Sequence, residues 1–345
     1  MASLADIRAR LKAQEEKKQG NFSSEPSAVY PHWNINEGDT AIVRLLEDAD
    51  TNNPYFWVER LMFRFPFNGL RNVPDAPATD KQVVVQVPCM EMYGEQCPVL
   101  NEVRTWFKDP SLEELGRKYW KKRSYLFQGF VRQNPLADDV VPENPLRRFI
   151  ISPQIFTLIK NSLLDPEIEH LPTDREHGLD FRISKTSKGG YADYSNSSWA
   201  RKESALTDEE IAAIDEHGLF NLKDFLPGKP NEEQLKVIVE MFEASVEGEP
   251  YDFERWGAYY TPPGVQRTGG SDTTDESRKP APKAASKPAP RVEEVDADDA
   301  DDADDADDVD AGASEATLVK EPAEVKDAKA DKAADILAMI RSRQK

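Results

Sequence analysis

The sequence predicts an α+β fold, mainly β with inserted helices, and three observations carry that expectation. Short strand-like runs recur as far as residue 199, capped or proline-led helical stretches interrupt them, and the composition changes abruptly near Thr261.

Residues 3–19 read as a helix: Ser3 suits the N-cap, Asp6 the first turn, and Leu4, Ile7 and Leu11 share a face. Gly20 to Pro31 breaks it, which makes residues 1–20 an arm on a core expected over 21–260. Strand patterns follow at 40–46 (TAIVRLL), 55–65 (YFWVERLMFRF) and 82–87 (QVVVQV). Helical patterns come next at 98–108 and 111–122, the second opened by Ser111-Leu112-Glu113-Glu114 as a capping box. Strands resume at 124–131 and 146–151, and Ser152-Pro153 starts a helix through Leu164. Residues 179–185 and 191–199 flank Gly189-Gly190 as a hairpin. Acidic helices are expected within 203–250, at 207–216, capped by Thr207 with Glu210, and at 231–246. Several short strands with helices between them suggest a small, partly open barrel, of which the OB-fold is the commonest nucleic-acid-binding kind. From 261 to 332, Pro, Ala, Lys and Asp dominate with almost no aromatics, so a disordered acidic linker and tail is expected. A short basic amphipathic helix is expected at 333–345, where Ile336, Met339 and Ile340 align and Arg341, Arg343 and Lys345 close the last turn.

The formal net charge of −20 is unevenly placed. Residues 1–202 carry 28 acids against 27 bases, 203–270 carry 15 against 5, and 271–345 carry 21 against 12. Ten aspartates fall within Asp296–Gly312 alone. The acidic total therefore does not exclude a polyanionic ligand for the N-terminal part. Cys89 and Cys97 are too few for a disulfide framework and point to a reducing cytosol. No apolar run reaches the roughly 18 residues that span a bilayer, and the opening residues lack the apolar centre of a signal peptide, so a soluble cytoplasmic protein is expected. Catalytic signatures are missing: there is no Gly-rich phosphate loop, no His-Glu-x-x-His and no Gly-x-Ser-x-Gly. His32, His170, His177 and His217 are scattered, and the Glu-His-Gly-Leu repeat at 176–179 and 216–219 reads as two turns. The expectation is a protein that is not an enzyme.

One stretch, RKYWKKRSYLFQGFVR at 117–132, contains no acid. Its bases Arg117, Lys118, Lys121, Lys122, Arg123 and Arg132 interleave with Tyr119, Trp120, Tyr125, Phe127 and Phe130. Cations meet the phosphates of a single strand and flat rings meet its exposed bases; a solvated helix end followed by a core strand fits the same residues. In 146–151, Arg147 and Phe149 share one face and Leu146 and Ile150 the other, as a ligand side and a core side or simply as a packed strand. Further on, Phe181 and Ile183 point to the core with Arg182 and Ser184 outward, and Lys185 and Lys188 follow. Tyr191 and Tyr194 stand three apart, so a bulge or turn is needed to present both to one ligand.

Taken in order, the basic arm with GNFSS, then AIVRLL, CMEMYGEQCPV, KKRSY, RRFIISPQIFTLI and DFRISKTSKGGYADY resemble the single-stranded DNA-binding (helix-destabilising) proteins of T-even-like tailed bacteriophages, over roughly residues 1–245. The resemblance implies an OB-fold core that binds single-stranded DNA without sequence preference in a basic, aromatic-lined cleft. It also implies an arm that docks on a neighbouring protomer to give cooperative filaments, and an acidic tail that screens the cleft and contacts replication and recombination proteins. The DNA contacts then fall on Lys118, Tyr119, Lys121, Lys122, Arg123, Tyr125, Phe127, Arg147, Phe149, Arg182, Lys185, Lys188, Tyr191 and Tyr194, with a bulge near Ala192. The docking arm falls on Leu4, Ile7, Arg8, Arg10, Leu11 and Lys12.

Two departures accompany the resemblance. The family's zinc is held by one His and three Cys, but only Cys89 and Cys97 match here; Leu100 stands in the place of a third cysteine and VERLMF supplies no histidine. Packing is therefore expected in place of the metal, and no cofactor. The chain also ends basic and helical where the family ends acidic. The implied role is DNA replication, recombination and repair in an infected bacterial cell. An RNA-binding, translation-regulatory protein using the same cleft and an acidic interaction or chaperone protein are the alternatives.

Overall fold

The computed structural model describes residues 27–73, 78–263 and 265. The arm (1–20), the terminal helix (333–345) and all but the first few residues of the acidic linker and tail (261–332) lie outside the described residues. The strands are β1 Thr40–Leu45, β2 Val58–Phe67, β3 Leu70–Arg71, β4 Val83–Pro88, β5 Lys122–Gln133, β6 Arg147–Ile151, β7 Leu179–Ser184, β8 Thr186–Lys188, β9 Tyr191–Asp193, β10 Ser198–Glu203 and β11 Tyr251–Asp252. The helices are α1 Pro98–Trp106, α2 Glu113–Tyr119, α3 Pro153–Leu163, α4 Asp208–His217, α5 Glu232–Glu247 and α6 Phe253–Trp256.

Seven strands form one antiparallel sheet along the path β10-β7-β1-β5-β2-β4, with β6 also on β5. The architecture is mixed α+β, and the sheet does not close into a barrel, because β10 and β4 remain its ends. Register explains how β5 serves three neighbours. Tyr125 and Leu126 pair with both β2 and β6, and Gly129 pairs with both β1 and β6. Hence β6 holds one edge of β5, while β2 and β1 share the other edge, β2 toward its start and β1 toward its end. Gly129 sits where β1 and β6 converge. A Cβ there would lie 2.0 Å from the backbone oxygen of Arg44, so only glycine lets the strands approach this closely.

Two large apolar clusters flank this frame. In the first, Leu61, Phe63, Phe65 and Phe67 of β2 alternate onto one face, as strand geometry requires, and meet Val85 and Val87 of β4. Helix α5 covers them with Ile238, Met241, Phe242 and Ser245, spaced three and four apart. Its Phe242 stacks on Trp106 of α1, with ring centroids 5.6 Å apart, and the Ser245 hydroxyl donates to the carbonyl of Pro66 at 2.6 Å. In the second cluster, Val43, Tyr125, Phe127, Phe149, Ile151, Phe181 and Ile183 of the sheet pack under Ile155, Phe156 and Ile159 of α3. The opposite side of β5 and β6 is also covered: Leu126 and Ile150 meet Leu222, Phe225 and Leu226, and Phe130 meets Ile214 of α4. The acidic helices are thus integral parts of the body.

Local chemistry decides the boundaries. Thr207 with Glu210 and Asn231 with Gln234 form complete capping boxes on α4 and α5, and α3 starts on Pro153. The box expected at Ser111 does not form. Ser111 donates its N–H to Asp109 Oδ1 at 2.9 Å, Leu112 becomes the N-cap, and α2 is correspondingly short. The strand expected from Tyr55 begins only at Val58, because the Asn53 amide donates to Asp48 Oδ2 (2.7 Å) and to the Trp57 carbonyl (3.1 Å) and holds that segment in a turn. The hairpin at Gly189-Gly190 does form, with φ of +64° and +88°, but between the short strands β8 and β9. The longer strand β7 pairs instead with β1 and β10.

Gly129→Ala should lower stability by about 1–3 kcal/mol, since backbone rather than a flexible side chain must yield. Urea unfolding followed by far-ultraviolet circular dichroism reads this directly, and an unchanged midpoint would mean β1 and β5 have spare room.

Candidate nucleic-acid interface

The acid-free run at 117–132 is divided between the two cores. Tyr119 and Trp120 belong to the first and Tyr125 and Phe127 to the second. The Tyr119 ring is buried, its hydroxyl lies 3.0 Å from Ser245 Oγ, and burial pushes its pKa up to about 12. Lys118 is exposed with its ammonium 5.7 Å from that ring. Lys121 is buried and paired with Glu91 at 3.0 Å, Lys122 is buried, and Arg123 is paired with Glu59 at 3.0 Å. Phe127 and Phe149 are 0% exposed and present no face to a base. Arg147, 3% exposed, forms a two-pronged pair with Asp139, both contacts 2.9 Å, and donates to the carbonyls of Ala28 and Val29. The expectation that Arg147 and Phe149 face a ligand is thus corrected: both sides of β6 are covered, and these two side chains are interior.

Other rings do reach the surface. Tyr55 is 56% exposed and stacks on half-buried Trp57, with centroids 4.8 Å apart and planes at 28°. Trp57 packs edge-on against Phe156 at 5.3 Å, and Phe156 stacks on Tyr125 at 3.5 Å. This four-ring series passes through Phe156 in the first turn of α3 and ends on Tyr125 of β5. From the same turn, Gln154 accepts the N–H of Tyr194 at 2.7 Å and donates to Asp193 Oδ1 at 2.9 Å. Tyr194 is buried against His32 (5.9 Å), which in turn meets Trp33 (5.3 Å), and Lys185 donates to the Trp33 carbonyl at 2.7 Å. Tyr191 is 41% exposed and directly opposite exposed Lys188 across the β8–β9 hairpin. Exposed Arg182 lies one strand in, opposite Ser198, and exposed Arg201 and Lys202 follow on β10.

The structure therefore joins the Tyr125 group and the Tyr191 and Tyr194 group through α3, but with altered roles. Tyr125 and Tyr194 are buried in the core against that helix turn, and Tyr55, Trp57 and Tyr191 keep ring surface outward. The expected bulge at Ala192 is not there, because Ser187↔Ala192 and Lys188↔Tyr191 pair without a register shift. Tyr191 and Tyr194 consequently face different surroundings. Trp33, Tyr55, Trp57, Arg201 and Lys202 escaped the sequence reading; the signal available was the dense Tyr-Phe-Trp run at 55–57, read there as strand.

Cys89 and Cys97 are buried free thiols in the first core. Cys97 accepts a hydrogen bond from Cys89 and others from backbone N–H groups at the start of α1, which pulls its pKa down to about 7, while Cys89, the donor, is pushed up. Leu100, where the family resemblance would place a third cysteine, is fully buried in the same core.

His32, packed against Tyr194, supplies a pH test of this part of the core. Burial is the main reason its pKa falls to about 4; Lys185 lowers it further, and a backbone hydrogen bond to Tyr30 opposes both. Below pH ~6.5 the unfolded chain takes up a proton that the folded chain refuses. Stability should therefore be lost as pH falls from about 6.5 to about 4, by roughly 3 kcal/mol from this group. His32→Leu should flatten that part of the stability–pH curve in urea titrations, and an unaltered curve would place the pH dependence elsewhere.

No protein-family model matches this chain, and no curated protein sequence matches it.

Proposed function

We propose that this chain binds single-stranded DNA without reading its sequence and serves phage DNA replication, recombination and repair as a non-enzymatic coating protein. The observation that carries this reading is ring surface open to solvent on both sides of the first turn of α3: Tyr55 stacked on half-buried Trp57 on one side, and Tyr191 opposite the exposed cation Lys188 on the other. Stacked rings accept any base, and cations track the phosphates between them. The near-neutral balance of residues 1–202, against the strong acidity of the rest, suits a body that meets a polyanion while another part repels one. The order of motifs along roughly residues 1–245 supports the same family reading.

In this reading the β5-centred sheet is an opened-out OB-type frame, with β1, β2 and β6 curling around one long strand. Residues 1–20 join neighbours into filaments on DNA, and the aspartate-rich segment at 296–310 competes with DNA for the cations and recruits replication and recombination proteins.

The test is fluorescence titration of the full chain with oligo-dT, the equivalent RNA and a duplex at several salt concentrations. Tightest binding to oligo-dT is expected. Tyr55→Ala, Trp57→Ala and Tyr191→Ala should each cost about 1–3 kcal/mol of binding. Lys188→Ala or Arg182→Ala should reduce the salt slope by about 0.7 for each phosphate that is no longer neutralised. Phe127→Ala should instead cost stability, about 3–5 kcal/mol. Preference for RNA, or binding untouched by the three ring variants, would overturn the assignment.

A further inference from the structure

The histidines that the sequence scatters are brought together in part. The rings of His170 and His177 stack with centroids 4.7 Å apart and planes at 23°. His177 Nδ1 lies 2.9 Å from Glu203 Oε2. One donor atom from each of His170, His177 and Glu203 lies within 4.8 Å of the other two, and all three side chains are exposed. We propose that His170, His177 and Glu203 form a binding site for a borderline divalent transition ion, Zn2+ being the natural occupant.

Several independent features build this cluster. Ordinary antiparallel pairing of β10 with β7 would continue from Trp199↔Phe181 to Arg201↔Leu179, but the pair formed is Glu203↔Leu179. Four residues of β10 span the distance of two on β7, a bulge after which Glu203 re-enters the pairing opposite Leu179, two residues from His177. Two hydrogen bonds fasten the slipped end to the histidine loop, Ser204 N–H to the Gly178 carbonyl and Leu206 N–H to the Arg175 carbonyl, both 2.8 Å. The loop is fixed from within as well. Asp174 Oδ1 accepts the N–H groups of Glu176 and His177, both at 2.8 Å.

The donors also suit the ion. Two imidazoles and one carboxylate, with water in the fourth position, are a common zinc set. Donors about 2.1 Å from a tetrahedral ion stand about 3.4 Å apart, so side chains already within 4.8 Å need only small rotations, which their exposure allows. Asp174 and Glu176 add negative charge beside the histidines, and the nearby cation Arg175 is engaged by Glu47 at 2.9 Å. An open cavity of ≈ 400 Å³, lined in part by Thr173, Asp174 and Arg175, adjoins the cluster at His177. This site shares no residue with the thiol pair Cys89 and Cys97, nor with the proposed DNA surface.

The experiment uses untagged full-length protein with excess Mg2+, which occupies the hard carboxylates of the 296–310 segment and competes poorly for imidazole. Zn2+ is titrated calorimetrically and Co2+ serves as the optical probe. One equivalent of Zn2+ should bind, and Co2+ should show tetrahedral visible bands without thiolate charge transfer. His170→Ala and His177→Ala should each weaken binding at least tenfold, and Glu203→Gln should weaken it as well. All three variants should keep the wild-type circular dichroism, since the side chains are exposed. Absence of a saturable equivalent, or an equivalent unaffected by the two histidine variants, would overturn the proposal. So would Co2+ charge-transfer bands that disappear on Cys97→Ser, which would move the ion to the thiols.

Discussion

The backbone pairing of β5 on both edges is the constraint to which the rest of the structure answers. A twelve-residue strand that serves β1, β2 and β6 at once cannot leave its side chains in water. One face of it is sealed by α3 and the other by the segments around Leu222 and Ile214. Consequently the aromatic residues of β5 are spent on cohesion, and ring surface for a ligand has to come from the margins, from the turn before β2 and from the detached hairpin after β7. The same crowding leaves Gly129 no room for a side chain.

Sealing both faces also decides where the cations go. Arg132 leaves the end of β5 and donates to Asp180, to Ser204 and to both oxygens of Glu210, at 2.6–2.9 Å. Glu210 simultaneously accepts the N–H of Thr207 and so closes the cap of α4. One carboxylate thereby ties a helix start to the sheet. Burial works against its charge, but Arg132 and that N–H outweigh it, and Glu210 titrates below the usual carboxylate range. Its contribution to stability is present at neutral pH and fades as pH falls through that lowered value.

Much of the framework was legible because its causes are local. The alternation of Phe63, Phe65 and Phe67, the prolines that open α1 and α3, and the capping pairs Thr207–Glu210 and Asn231–Gln234 act within a few residues of one another. The short parallel pair β3–β11 was not legible, since its partners are separated by about 180 residues. The candidate interface was legible only as a neighbourhood. A period-two pattern says that Arg147 and Phe149 share a face, but whether that face meets water depends on how α3 and the segment at Asp139 fold back over β6, which the pattern does not state. Lys121 meets Glu91 and Arg123 meets Glu59 across strand crossings that the acid-free run does not reveal. His170 and Glu203 likewise become neighbours only in the fold, from positions far apart in sequence.

The two ends of the sheet have a consequence for self-association. Among the described residues, no strand pairs with the outer edge of β10 or of β4. β10 exposes Arg201, Lys202 and Glu203 and is out of step with its neighbour, while β4 finishes on Pro88, which has no N–H to offer. Charged, slipped or proline-ended edges are poor templates for an incoming strand. Copies of this chain brought side by side will therefore not fuse their sheets into a continuous ribbon. Contacts between such copies are left to side chains, which can be made and broken one at a time without unfolding either copy.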